Sequence, residues 1–217
     1  MTEPFRIFQG LPLRWTQQAF AMFSGQTRSP ASTQYLVQDA PALRQELTHK
    51  MTPHSDNNIA LTLGLAERLK QEVARDLVRT HDISLQVQTL PDIPQGNRSP
   101  DLMVLTPELA DQLGGSSSDI TLEMSNPLLV VEVVSSYPSP CDDNYRRDYI
   151  EKRQQYEQRC IPEYWIVDPT AAEVTVLARV PQDGYRGRSF QGQQRIESSG
   201  FPTLNLTVDE LLALGVE

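Results

Sequence analysis

Leu128-Leu-Val-Val-Glu-Val-Val134 is a continuous apolar run, rich in β-branched residues and interrupted by one carboxylate. A run of this kind belongs to a strand covered on both faces, and so to the middle of a sheet. Glu132 is costly there, because an ionised carboxylate among apolar neighbours needs a cation or several donors to compensate it. A metal ion would meet that need. A protonated glutamate, or one that reaches water at the end of the sheet, is the alternative.

Downstream, Asp142 to Arg159 has a helical composition, and the helix should stop before Pro162, because the residue preceding proline avoids the helical region. Two further strands follow, at Glu163 to Val167 and Val174 to Leu177, around a turn at Asp168-Pro169. Upstream, Leu102 to Leu105 reads as a short apolar strand, and Ile83 to Thr89 alternates with the period of two expected of a strand with one buried face. Pro91 to Ser99 is a loop, and the serine-rich stretch from Gly114 to Asp119 is expected to be mobile. A helix begins after the cap-type residues 52–56 and runs to about Asp76, with Ile59, Leu63 and Leu69 inward and Arg68, Lys70 and Glu72 outward. Trp15 to Phe23 and Tyr35 to Val37 suggest a short helix and strand, and Phe201 to Leu214 closes with a short helix. Helix, three strands, helix and two strands predict an α/β fold with a mixed central sheet flanked by helices.

The 217 residues fit one domain: a core over 51–180, an extension over 1–50 packed on it, and a C-terminal strand and helix over 181–217. No apolar run is long enough to cross a membrane and the first ten residues do not resemble a secretory signal, so a soluble cytoplasmic protein is expected. Cys141 and Cys160 form no CxxC and are expected to be reduced thiols. His49, His54 and His81 share no ligand spacing, so any metal should be held by oxygen. The net charge of -9 counts against a phosphate-gripping surface. Charge is uneven, however, and Arg179, Arg186, Arg188 and Arg195 make the stretch before the C terminus locally basic.

Asp101 follows Pro100 and opens the strand that precedes Glu132 in the chain. If those two strands pair, their carboxylates converge near one end of the sheet and suit Mg²⁺, which takes one or two carboxylates plus water and phosphate oxygens. A turn-forming aspartate is the plainer reading of Pro-Asp. Lys152 has Asp148 four residues before it and Tyr156 four after, so the three share one helix face. Beside two carboxylates, a lysine can orient a water, help to deprotonate it, or offset charge on a phosphate. An exposed lysine paired with Asp148 is the alternative.

These residues together resemble the Uma-type family of restriction endonucleases, a branch of the PD-(D/E)XK nuclease superfamily that is abundant in cyanobacteria. The resemblance rests on Ser99-Pro-Asp-Leu-Met-Val104, Leu129-Val-Val-Glu-Val-Val-Ser135, Arg147-Asp-Tyr-Ile-Glu-Lys-Arg153 with Tyr156, and Ile161-Pro-Glu-Tyr-Trp-Ile-Val-Asp-Pro169. Arg14-Trp-Thr16, Asn57-Asn58-Ile59 and Phe201-Pro-Thr-Leu-Asn-Leu206 fit the family's layout more loosely.

The resemblance implies a restriction-endonuclease-like core, Asp101 and Glu132 as metal ligands for Mg²⁺ or Mn²⁺, and hydrolysis of nucleic acid, DNA in the first instance, by a homodimer. The superfamily's usual lysine position is occupied by Val134, and the resemblance assigns that role to Lys152 on the following helix. Asp148 and Tyr156 would hold Lys152 and its helix in place, and Asn58 would face the site, with a capping or surface role as the plainer reading. Within the locally basic stretch, Arg186 and Arg188 are the candidates for contacting nucleic acid, with a solvated strand and loop as the plainer reading. Cys160 stands at a helix end where the family has glycine. Two competing readings are a nuclease-fold binding or assembly module without activity, and a hydrolase of small phosphate esters.

Overall fold

The computed structural model of the protein describes residues 56–114 and 118–215. The helix and strand expected at 15–23 and 35–37, the extension 1–50 that contains them, Arg14-Trp-Thr16, and the middle of the serine-rich loop lie outside the described residues.

The chain enters through helix α1 (Asp56–Leu69), whose buried stripe is Asn58, Leu61, Thr62, Leu65, Ala66 and Leu69. The expected inward face is thus corrected, because Ile59 and Leu63 are exposed. The helix also ends earlier than expected. Gln71 N–H bonds Arg68 O and Glu72 N–H bonds Leu69 O, so the last turn tightens and closes. A 3₁₀ turn (Arg75–Leu77) leads into β1 (Val78–Thr80), then β2 (Ser84–Gln86), β3 (Asn97–Arg98) and β4 (Leu102–Val104). Helix α2 (Pro107–Leu113), read in the sequence as no element, carries plain end signals: Thr106 caps it, Pro107 opens it, and Gly114 closes it at φ 59°. Then come β5 (Asp119–Ile120) and β6 (Leu129–Val133), in which all five residues are buried.

From β6 the chain passes through α3 (Asp143–Arg146), a π-helical turn (Arg147–Lys152) and α4 (Arg153–Gln158) to reach β7 (Glu163–Asp168). Asp142 caps this helical run by accepting a hydrogen bond from Asn144 N. Strands β8 (Glu173–Val180) and β9 (Gly184–Gln191) form a hairpin, and α5 (Val208–Ala213) ends the described chain.

Six strands form one sheet in the order β1-β4-β6-β7-β8-β9, with β6 and β7 parallel and the other neighbouring pairs antiparallel. Two parallel neighbours cannot be joined by a tight turn, which is why the α3–α4 run must cross between them. The expected strand at Ile83 to Thr89 shortens to β2 and does not join this sheet. It is the centre of a separate three-stranded sheet with β3 and β5. Its alternation is real, since Ile83, Leu85 and Val87 are all buried, but they pack against the face of the large sheet rather than extending it.

The large sheet therefore has apolar material on both sides. On one, Leu129, Val131, Val133, Trp165 and Val167 pack with α1 and the C-terminal segment. On the other, Val130, Val134, Tyr164 and Ile166 pack with Tyr156, α2 and the small sheet. Strand alternation puts Glu132 on this second side, beneath the crossover helix.

Candidate active site

β4 and β6 pair antiparallel with Leu102 opposite Val131, so one further step places Asp101 opposite Glu132 on the same face. Both are almost fully buried, Asp101 at 2% and Glu132 at 1% exposure. Asp101 Oδ2 accepts a hydrogen bond from Val133 N at 2.7 Å, which secures its carboxylate against the backbone of β6.

The crossover closes over these two acids. Lys152 Nζ lies 2.7 Å from Glu132 Oε2 and 2.7 Å from Asp148 Oδ1. The Tyr156 hydroxyl donates to Glu132 Oε1 at 2.7 Å, and the Tyr164 hydroxyl donates to the Asp148 carbonyl at 2.9 Å. Asp148, Lys152 and Tyr156 are all buried, on the face that meets the sheet. Asp148 and Lys152 belong to the π-helical turn, a wider i→i+5 winding that recurs at functional sites.

Burial dominates the electrostatics. It pushes the Glu132 carboxyl up to about 7, helped by the like charges of Asp101 and Asp148 and opposed by Lys152. Burial also raises Asp101, against the pull of Lys152 and the Val133 N–H. For Lys152 burial alone would favour the neutral amine, but Glu132, Asp148 and Asp101 together hold it above its ordinary value, as an ammonium. Tyr156 is held well above the phenol range by burial and by Glu132, so it keeps its proton and serves as a donor.

Among the described residues no three His, Cys, Asp or Glu side chains gather as a metal cage. A divalent ion would rest on two carboxylates and keep water and phosphate oxygens as its other ligands, the habit of Mg²⁺. The donor set fits. Each carboxylate oxygen has more than one acceptor site, so Glu132 can take Tyr156 and Lys152 and still bind an ion. Three carboxylates, Asp101, Glu132 and Asp148, face two cations, Lys152 and Arg147, so added positive charge offsets the cost of ionising them in a buried place.

Asn58 is buried rather than on the surface, and its amide donates to the Val133 and Val134 carbonyls at 3.4 Å each. It fastens α1 to the end of β6. Arg186 and Arg188 are not brought to the acids: β9 pairs them with Ala178 and Val176, on the opposite face of the sheet from Glu132, where they bridge Asp183 and Glu197. Val134 is buried on the same face as Glu132, in the apolar cluster with Tyr164.

Several contributors escaped the sequence reading. His81 Nδ1 lies 3.6 Å from Asp101 Oδ1, a neighbour visible only once β1 is paired with β4. Buried Gln155 accepts from Arg98 Nε at 2.7 Å and donates to the Gln88 and Gln95 carbonyls, tying the loop between β2 and β3 to the helix that carries Tyr156. Glu163, buried at the start of β7, accepts from Trp165 Nε1 and from Ser198, Ser199 and Gly200, and so anchors the C-terminal segment.

The model of the Uma2 family, described as "Putative restriction endonuclease", matches residues 42–209. Among solved structures, the fold is similar to that of "a putative nuclease belonging to DUF820 from Anabaena variabilis ATCC 29413", at 15% identity and a TM-score of 0.55, covering 76% of this chain and 84% of that one. No curated protein matches.

Proposed function

Because the chain belongs to the Uma2 family, with a restriction-endonuclease-like fold, we propose that it is a divalent-metal-dependent endonuclease hydrolysing phosphodiester bonds in nucleic acid, DNA in the first instance. The single observation that carries this reading is Lys152 Nζ at 2.7 Å from Glu132, itself opposite Asp101. Asp101 and Glu132 would hold Mg²⁺ or Mn²⁺, which supplies Lewis-acid stabilisation of charge developing on the phosphate.

The protein's own groups do the rest. Tyr156 fixes one oxygen of Glu132 and Asp148 fixes Lys152, so neither reacting group needs to reorganise. Lys152, held as an ammonium by three acids in the metal-free protein, is suited to orienting the attacking water and to offsetting phosphate charge. The relocation of lysine from position 134 to the crossover helix leaves the amine within hydrogen-bond distance of Glu132, which supports an active rather than a vestigial site.

The test is conversion of supercoiled plasmid to nicked or linear form with Mg²⁺ and with Mn²⁺. Wild type should cut and Glu132→Ala should not. Wild-type protein that cuts neither DNA nor RNA with either ion overturns the reading.

A further inference from the structure

Arg147 opens the π-helical turn, and no role in the reaction has yet been attached to it. Contacts run in series from the floor of the site to its rim: Glu132 to Lys152, Lys152 to Asp148, Asp148 to Arg147. Along the series the side chains are 1% exposed at Glu132, 10% at Lys152 and 1% at Asp148, and only the last member, Arg147, reaches 37%. Arg147 is thus the point at which this buried charge network meets solvent.

Its geometry is set by two acceptors. Nε and Nη2 donate to Asp148 Oδ1 and Oδ2 at 3.3 and 3.0 Å, and Nη1 donates to Asn144 Oδ1 at 3.1 Å. A guanidinium has five N–H groups. Three are engaged, and among the described residues no acceptor takes the remaining hydrogen on Nη1 or that on Nη2. The result is an oriented, partly exposed guanidinium with one hydrogen left on each of Nη1 and Nη2, and guanidinium is the side-chain group best suited to recognising phosphate.

Neighbouring cations are placed differently. Arg98 is 7% exposed and committed to Gln155 and Glu151. Arg146 reaches Glu151 on the exposed side of the helix, and Arg79 is held by Asp82.

We infer that Arg147 binds the non-bridging oxygens of the phosphodiester at this site, through its free Nη1 and Nη2 hydrogens, with Asp148 and Asn144 holding the guanidinium in position. The inference rests on the proposed phosphodiesterase reading and adds a substrate-contacting residue to it. Its rival is that Arg147 merely neutralises Asp148.

The two are separated with full-length wild type, Arg147→Lys and Arg147→Ala. DNA cleavage and hydrolysis of bis(p-nitrophenyl) phosphate would be followed, together with the salt dependence of binding to a fluorescein-labelled oligonucleotide and calorimetric Mg²⁺ affinity. A phosphate contact predicts that Arg147→Ala raises KM for both substrates about 10- to 100-fold. It also predicts a salt slope lower by about one contact, and only partial recovery in Arg147→Lys, which keeps the charge but not the planar fork. Wild-type KM and salt slope in Arg147→Ala, with changes confined to Mg²⁺ affinity or Tm, overturn the inference and leave the nuclease reading standing. Hydrolysis of the small diester without DNA cleavage, with KM raised by Arg147→Ala, keeps the inference and removes the nucleic-acid substrate. Failure of wild type to bind or hydrolyse either substrate removes both.

Discussion

Lys152 Nζ stands 2.7 Å from Glu132 Oε2, joining the helix of a crossover to the strand from which that crossover departs. The ammonium is also shared with Asp148, so the pair is part of a buried network and not an isolated surface contact.

Lys152→Met should lower kcat for DNA cleavage by about 10²- to 10³-fold. It should also lower stability by about 3 kcal/mol in metal-free protein, because Glu132 and Asp148 lose their buried cation. Added Mg²⁺ should recover part of that stability and none of the rate. Thermal melts with and without Mg²⁺, set beside single-turnover cleavage, measure both; unchanged kcat rules out a role for the amine.

Mg²⁺ affinity should depend on pH through Glu132. Its carboxyl titrates at about 7 in the folded, metal-free protein against an ordinary value of 4.5, so between those values the folded state carries the extra proton. The group's contribution to stability is complete below about pH 4.5 and is lost as pH rises through 7. An ion must displace that proton, so affinity should climb by about tenfold per pH unit and level off above the carboxyl's pKa. Calorimetry in buffers of different ionisation enthalpy counts the protons released; an affinity that is flat across this interval counts against Glu132 as a ligand.

Tyr156→Phe should move that pH profile upward, since Glu132 loses a donor that favours its charged form. The fold should lose about 1 kcal/mol for the vacated acceptor. An unshifted profile would mean that the Tyr156 hydroxyl does not tune the carboxylate.

Cys160→Gly should stabilise the protein by about 1 kcal/mol. Cys160 has φ 64°, the left-handed backbone that a Cβ disfavours. Cys160 N–H bonds Glu157 O and Ile161 N–H bonds Tyr156 O, the paired bonds of a Schellman ending to α4. A rise in Tm of about 2–4 °C is expected for a chain of this size, with no change in Mg²⁺ affinity.

Glu163→Ala should do the reverse, lowering Tm while leaving Mg²⁺ affinity intact. It strands donors from Trp165, Ser198, Ser199 and Gly200 on the face of the sheet away from Glu132. Lost metal binding in a variant that remains folded would contradict this separation of the two faces.

The central strand and the crossover helix were legible because their signals are local: a β-branched apolar run, a capping Asp142, and Pro162 beyond the helix end. Glu132 stands out as a charge in an apolar strand, Asp101 only as the residue that opens the strand before it and only in company with Glu132, and Lys152 through its spacing from Asp148 and Tyr156. Helix α2 carried signals that were equally plain, in Thr106, Pro107 and Gly114, but its seven residues are too few for the apolar period to register. The inward face of α1 is obscured in the sequence because its stripe is mixed: buried Asn58 and Thr62 interrupt the leucines, while Ile59 and Leu63 face out. The membership of β2 in a separate sheet, and the approach of His81 to Asp101, are matters of pairing between distant segments. No local pattern encodes them.

The parallel setting of β6 and β7 has a practical consequence. Both carboxylates proposed as ligands lie before the exposed stretch 138–141, and the amine lies after it. On the proposed reading, a single backbone cut there would divide the molecule into a half bearing both ligand carboxylates and a half bearing the lysine, with neither expected to cleave alone. Recovered cleavage on mixing would then report their reassociation, with the seam between the proposed metal ligands and the proposed amine.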